Sequence, residues 1–236
     1  MGNFLEKYVD PALLQCKESF YDDWVTEKLD KCSILLDAGC GSGDYWQGRE
    51  SRFLGKKVIG IDISRESIAE NKIISIGAEG NLSQIPLKDE SVQLIICRSV
   101  FEHLTEPQSV WSEFARILKP GGYVIISTQN KYHPVMFLSY LFPSEFRVFL
   151  KKRLLNMELD EGTYPTHYKC NTKWAFEKMS KAVGFEEEYY IHHTHGHGYW
   201  KSPLLRKTLG FMEMILSTKT FFIFRAHIVA CYRKPL

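Results

Sequence analysis

The chain has 236 residues, 44% of them hydrophobic and 14% aromatic, enough to bury one sizeable core and to exclude a disordered chain. Its formal charge of +2 is too mild for a nucleic-acid face, which shows as a concentrated basic stripe; the one dense basic run, Lys151, Lys152 and Arg153, reads as a solvated helix end. Six cysteines without a CxxC pair argue against a zinc site or a disulfide framework and for a reducing compartment.

The N-terminal stretch MGNFLEKYVDPALLQ carries acids and no long apolar core, so it is not a signal peptide, and Glu6 stands where a myristoylation signal has Ser or Thr. No run reaches the ~18 apolar residues of a membrane-spanning helix. A soluble, cytoplasmic protein is expected.

The first predicted strand, 33–38, holds the continuous apolar run Ile34, Leu35 and Leu36, too short for a helix and without the alternation of a half-exposed strand. It belongs in a parallel sheet covered on both faces. Gly39, Gly41 and Gly43 follow, supplying positive φ and letting a ligand approach bare backbone. A strand, a glycine turn and a helix N-terminus make a nucleotide or anion cradle. The second strand, 57–63, closes on Asp62, 23 positions after Gly39, where a carboxylate can accept hydrogen bonds from both ribose hydroxyls of a nucleoside. Such an acid suits NAD or S-adenosylmethionine. The dinucleotide pattern G-x-G-x-x-G fails, because Asp44 or Trp46 stands at the third glycine in the two registers. The spacing suits an amino-acid tail more than a pyrophosphate.

A helix at 64–72, strands at 73–77 and 92–98, a helix at 106–118 and a strand at 122–127 continue the alternation, which argues for a doubly wound parallel sheet. LKPGG at 118–122 ends the helix and turns the chain. After residue 128 the rhythm breaks. Residues 129–170 are aromatic and of mixed charge, then NTKWAFEKMSKAVGF returns to helix, with Asn171 or Thr172 as cap and Gly184 as stop. Strands at 185–191 and 221–232 close the chain.

In order, LLDAGCGSG, VIGIDIS, GNLSQIPLKDESVQLIICRSVFEHL and ARILKPGGYVIIST resemble the class I S-adenosylmethionine-dependent methyltransferases, in particular the small-molecule group that includes the ubiquinone and menaquinone biosynthesis enzymes. The resemblance covers about residues 33 to 128. It implies a Rossmann-like seven-stranded sheet with an antiparallel last strand, S-adenosylmethionine as cofactor, and one domain over 1–236. Carried over by position, Asp37 and the backbone of Gly39, Cys40 and Gly41 would hold the methionine amino and carboxylate ends, and Asp62 the ribose. Ile63 would pack on the adenine. Asn81 replaces the family's acid, though its amide oxygen still accepts from the adenine amino group while the Leu82 N–H reaches a ring nitrogen. Arg98 would offer its carbonyl to the ligand amine, or its side chain to a carboxylate.

In FEHL, Glu102 and His103 resemble part of a metal-binding Glu-x-x-Glu-His arrangement, but Arg98 and Ser99 occupy the region of the first acid and disfavour a cation. They are expected to organise the loop and cap the next helix. In YIHHTHGHGYW, His193, His195 and His197 share one face if the segment is a strand, a metal-capable spacing with no carboxylate or cysteine adjacent. A polar, pocket-lining loop is the default, and no metal is expected.

Methyl transfer to a hydroxyl needs a base; His133, His167 and the histidines at 192–197 all lie beyond the core motifs, and His133 and His167 are taken as the catalytic candidates. Residues 129–170 and 192–220 are read as a substrate cap inserted after strands 5 and 6, over a core of 33–128. Its aromatics, among them Tyr132, Phe137, Tyr140, Phe142, Tyr164, Tyr168, Tyr199 and Trp200, suit an apolar, lipid-like acceptor; PVMFLSYLFPSEFRVFLKKRLL also reads as a dimer contact or a membrane-surface helix. The rival reading is a catalytically silent cofactor-binding regulatory or scaffold protein.

Overall fold

In the computed structural model, residues 20–142, 164–193 and 210–236, apart from 213, 217 and 219, are described. Among them one sheet runs through β1 (Ile34–Ala38), β2 (Lys57–Asp62), β3 (Ile76–Glu79), β4 (Val92–Arg98), β5 (Leu118–Gln129), β6 (Glu186–His193) and β7 (His227–Arg233). The strand order is β3-β2-β1-β4-β5-β7-β6. The first five strands pair in parallel, and β7 lies antiparallel to both β5 and β6. The helices include α1 (Phe20–Leu29), α2 (Arg65–Glu70), α3 (Pro107–Ile117), α4 (Pro134–Tyr140) and α5 (Lys173–Ala182).

The unbroken apolar runs of the central strands follow from cover on both faces, since successive side chains point to opposite sides. Leu36, Ile95 and Cys97 enter one core with Phe101, Trp111, Phe114 and Phe176, under α3 and α5. Leu35, Leu94 and Ile96 enter the other with Tyr21, Val25, Trp46 and Phe53, under α1 and the turns after β1. Val110, Trp111, Phe114 and Ile117 form the buried stripe of α3, each at most 1% exposed. Burial of this kind contributes about 1.5–3 kcal/mol per large side chain. Thr172 caps α5 by accepting the Ala175 N–H at 3.2 Å, and Gly184, at φ +79°, follows its end.

Three strands are shifted from their predicted spans. The fifth begins at Leu118 rather than 122, so LKPGG lies within the strand instead of in a turn before it, Leu118 pairing with Val92 ahead of a shift in register. The third begins at Ile76 rather than 73, because the Asn71 side chain accepts the Ile73 N–H at 2.9 Å and holds that stretch in a turn. The last begins at His227 rather than 221. Asn130 Nδ2 donates to the carbonyls of Ile223 and Arg225, at 2.8 and 2.7 Å, and keeps residues 222–224 in a 3-10 turn.

Among the described residues no helix is long and apolar enough to cross a membrane. Cys32, Cys40, Cys97, Cys170 and Cys231 are buried free thiols. The parallel strands bring the carboxyl ends of β1, β2, β4 and β5 to one rim, where ligands bind in open α/β sheets.

Candidate active site

After Ala38 the chain turns through Gly39 at φ +76° and Gly41 at φ +48°. A Cβ on Gly39 would stand 2.2 Å from Val100 Cγ2, so only glycine lets this turn lie against the loop after β4. The space beside Gly41 is open, with nothing within 4 Å of where its Cβ would be. Gly41 borders a cleft of about 170 Å³, walled also by Asp37, Cys40, Tyr45 and Arg98.

Hydrogen bonds fix the turn from β2 and from the end of α2. The Gly39 and Cys40 N–H groups donate to the Ile61 carbonyl at 2.7 and 3.2 Å. Gly41 N–H donates to Asp62 Oδ2 at 2.8 Å, while Asp62 Oδ1 accepts the Ser64 N–H at 2.9 Å. Asn71 Nδ2 donates to the carbonyls of Cys40 and Gly41, both at 3.0 Å. Sequence reasoning passed over Asn71, since an asparagine after a helix looks like any other helix end.

Asp37 is 5% exposed, and burial pushes its carboxyl up to about 7, with the charge of Asp62 adding to the shift and a hydrogen bond from Trp46 opposing it. Burial, together with Asp37 and Asp62, pushes the Cys40 thiol up to about 12, so it is no thiolate nucleophile. In the same cleft, the Arg98 guanidinium carbon lies 3.7 Å from the Tyr45 ring centroid. The Tyr45 hydroxyl donates to Asp22 of α1, whose carboxylate also lies 3.3 Å from Arg52 Nη1. The aromatic pair Tyr45 and Trp46, unassigned in the sequence, thus orients both charged walls.

Along the rim, Ile63 is 57% exposed and Leu82 is buried. Gly80 N–H donates to the Asp62 carbonyl at 2.9 Å, which brings the loop after β3 against β2. Asn81 Oδ1 accepts the Ser83 N–H at 2.9 Å, leaving the oxygen a second lone pair. The structure therefore gathers Asp37, Gly39, Cys40, Gly41 and Arg98 about one cleft, with Asp62 bonded to its turn and Ile63, Asn81 and Leu82 on the neighbouring strand ends.

The two candidate histidines lie elsewhere on the rim. His133 is 2% exposed, and its carbonyl accepts the Phe137 N–H of α4 at 2.8 Å. His167 lines a second cleft of about 640 Å³, with Glu106, Lys131 and Lys169; the two clefts share no lining residue.

Glu102 organises its loop but does not cap the next helix, whose N-cap position is Glu106 with no side-chain bond. It is buried instead, accepting from Thr128 Oγ1 at 2.6 Å, and Thr128 in turn accepts from Asn171 Nδ2 at 2.7 Å. The Glu102 carbonyl accepts the N–H groups of His167 and Tyr168 at 2.7 and 3.2 Å. Burial raises the Glu102 carboxyl above the usual carboxylate range, against the pull of the Thr128 hydroxyl. His103 Nδ1 meets the Pro165 carbonyl at 3.0 Å. No group of three His, Cys, Asp or Glu placed to hold a metal occurs among the described residues. His192 is held down at about 4 by burial, then by Arg225 and Lys173, and His193 packs its edge on Phe20, with ring centroids 5.5 Å apart. His195 and His197 lie outside the described residues, as do Tyr199, Trp200 and the Tyr140 side chain.

Residues 36–126 match a family described as a methyltransferase domain. A ubiquinone biosynthesis O-methyltransferase of Aeromonas salmonicida is 28% identical over 69% of this chain and 67% of its own length. One from Dechloromonas aromatica is 29% identical over 52% and 56%. A malonyl-[acyl-carrier protein] O-methyltransferase of Yersinia pestis is 31% identical over 40% and 36%. The chain thus spans from about a third to two thirds of the length of these relatives. Among solved structures, a SAM-dependent methyltransferase from Methanosarcina mazei aligns at 18% identity with a TM-score of 0.59, covering 90% of this chain and 97% of that one. Another from Aquifex aeolicus aligns at 16% identity and a TM-score of 0.54, covering 99% and 98%. At such identities the likeness speaks to the fold. The matched residues 36–126 include every residue of the small cleft and neither candidate histidine.

Proposed function

The chain carries an S-adenosylmethionine-dependent methyltransferase domain, and from that premise we propose that it methylates a hydroxyl, amine or carbon of a small-molecule acceptor. The observation that carries this reading is the cleft beside Gly41, open where a Cβ would stand and flanked by a buried carboxylate and a guanidinium. A zwitterionic amino-acid tail fits that pair of walls. When bound, S-adenosylmethionine supplies an electrophilic methyl group on its sulfonium.

In this reading Asp37 takes the ammonium end of the methionine tail, and the backbone of Gly39, Cys40 and Gly41 lines it. Arg98, already over Tyr45, takes the carboxylate. Asp62, with one oxygen on Gly41 and the other on Ser64, presents its remaining lone pairs to the ribose. Ile63, exposed at the rim, covers one adenine face, and Asn81 with the Leu82 N–H reads the adenine edge. The protein's task is then to orient donor and acceptor and to exclude water.

For a hydroxyl acceptor, His167 or His133 removes the proton. The described parts of 129–170 and 192–220 cap the acceptor; Tyr132, Phe137, Leu138 and Leu141 are exposed just beyond β5, which supports a bulky apolar molecule. The relatives' names favour transfer to oxygen, and the free cysteines fit a cytoplasmic setting. One observation favours the silent reading, namely that Asn81 has its amide oxygen engaged with Ser83.

Release of S-adenosylhomocysteine, followed with methyl-labelled cofactor across phenolic, amino and carboxylate acceptors, separates the two. Acceptor-dependent release supports the enzyme. Tight cofactor binding with no release across the whole panel supports the silent protein.

A further inference from the structure

The larger cleft, about 640 Å³, shares no lining residue with the cleft beside Gly41, and its size is that of a small-molecule site. Its wall gathers two lysines from separate segments, Lys131 just after β5 and Lys169 on the segment leading into α5, with His167 beside them. The first turn of α3, with Gln108 and Ser109, completes it and turns the positive end of that helix toward the same space. Glu106 is the one carboxylate in the wall.

These groups stand on a rigid frame. Lys131 N–H donates to the Asn171 carbonyl at 3.1 Å, and Asn171 is tied through Thr128 to the buried Glu102. His167 hangs from the Glu102 carbonyl, and Lys169 Nζ donates to the Thr105 carbonyl at 2.8 Å, which leaves the ammonium two further donors. Between them Tyr168 is buried at φ +49°, a backbone strain held in place by its hydroxyl on Gln129. An ammonium held like that of Lys169 loses little entropy on meeting an anion.

We infer that this cleft binds an oxyanion-bearing small molecule, its phosphate-like end on Lys131 and Lys169 and its organic body filling the remaining volume. As a binding site it stands without methyl transfer. As the anchor for the acceptor's charged end it rests on the function proposed above.

The test is a calorimetric titration of the full chain with inorganic phosphate and with phenyl phosphate, and in parallel with S-adenosylhomocysteine. Saturable binding of a phosphate probe is expected, weakened about tenfold or more in the Lys131→Gln/Lys169→Gln double variant and retained in the Lys131→Arg/Lys169→Arg variant, with S-adenosylhomocysteine affinity unchanged within about twofold in both. Tighter binding of phenyl phosphate marks a phosphorylated organic ligand, and tighter binding of inorganic phosphate marks a free-anion site; either supports the oxyanion subsite. Absence of saturable binding by both probes, or equal binding by the Gln variant, overturns it. Phosphate binding without S-adenosylhomocysteine binding leaves this site standing and removes the methyl-transfer reading.

Discussion

Gly39 and Val100 are in contact so close that a methyl group on Gly39 would lie 2.2 Å from Val100 Cγ2, whereas Gly41, two residues on, faces empty space. Glycines of one short motif therefore answer to different demands. Gly39 lets the loop after β4 close against β1, which is a matter of fold. Gly41 borders the open cleft, where the proposed ligand would lie.

This division predicts opposite behaviour for two substitutions. Gly39→Ala adds overpacking of about 1–3 kcal/mol to the left-handed strain at φ +76°, and urea denaturation should show a substantial loss of stability. Gly41→Ala adds only the left-handed strain, about 1–2 kcal/mol, yet places a methyl group in the cleft. It should stay folded and lose S-adenosylhomocysteine affinity by calorimetry. A Gly41→Ala variant that binds normally would move the ligand away from this turn.

Asp37 gives the site a pH dependence. Its carboxyl is raised from 3.8 to about 7 on folding, so between those values the folded chain holds the proton more tightly than the unfolded chain. The stability this group contributes is greatest below its unfolded value and falls as pH rises toward 7. On the function proposed here, cofactor binding should have the opposite slope, because the ammonium of the methionine tail would pair only with the ionised carboxylate. Affinity for S-adenosylhomocysteine should climb by up to about tenfold per pH unit below 7 and level off above it. Asp37→Asn should flatten that climb. Equal slopes in the two proteins would mean that Asp37 does not meet the ammonium.

Arg98 is tested by removing the group it is expected to hold. The unaltered chain should prefer S-adenosylhomocysteine over its decarboxylated analogue by roughly tenfold or more, as a charge-assisted hydrogen bond implies. Arg98→Met, which keeps the main-chain carbonyl and much of the packing on Tyr45, should bring the two affinities together. An unchanged preference would place the carboxylate against another residue.

Much of this architecture is legible in local sequence. The run Ile34–Leu36 reads as a doubly covered strand because its residues do enter opposite cores, and Thr172 and Gly184 bound their helix as capping chemistry requires. The order of the strands is less local. That β7 slips between β5 and β6 depends on pairings such as Ile125 with Cys231 and Ile191 with Val229, which no short window contains. The site divides in the same way. Asp37, Gly41 and Asp62 stand in recognisable motifs, but Asn71 holds the turn through two carbonyls from a position without pattern. In the sequence Glu102 is a loop acid beside a histidine. Its role appears only when Thr128 and Asn171, distant in the chain, are brought to it.

Asp62 bears most directly on the central claim, because it joins the glycine turn to the place where the ribose would lie. Its Oδ2 already accepts from Gly41 at 2.8 Å. Calorimetric titration of S-adenosylhomocysteine into the full chain and into Asp62→Ala compares the cradle with and without that carboxylate. Saturable one-to-one binding is expected in the unaltered chain, with a loss of about 1.5–3 kcal/mol, roughly tenfold to 150-fold, in the variant. No saturable binding to the unaltered chain, or an affinity that the substitution leaves unchanged, would contradict a cofactor site at this turn.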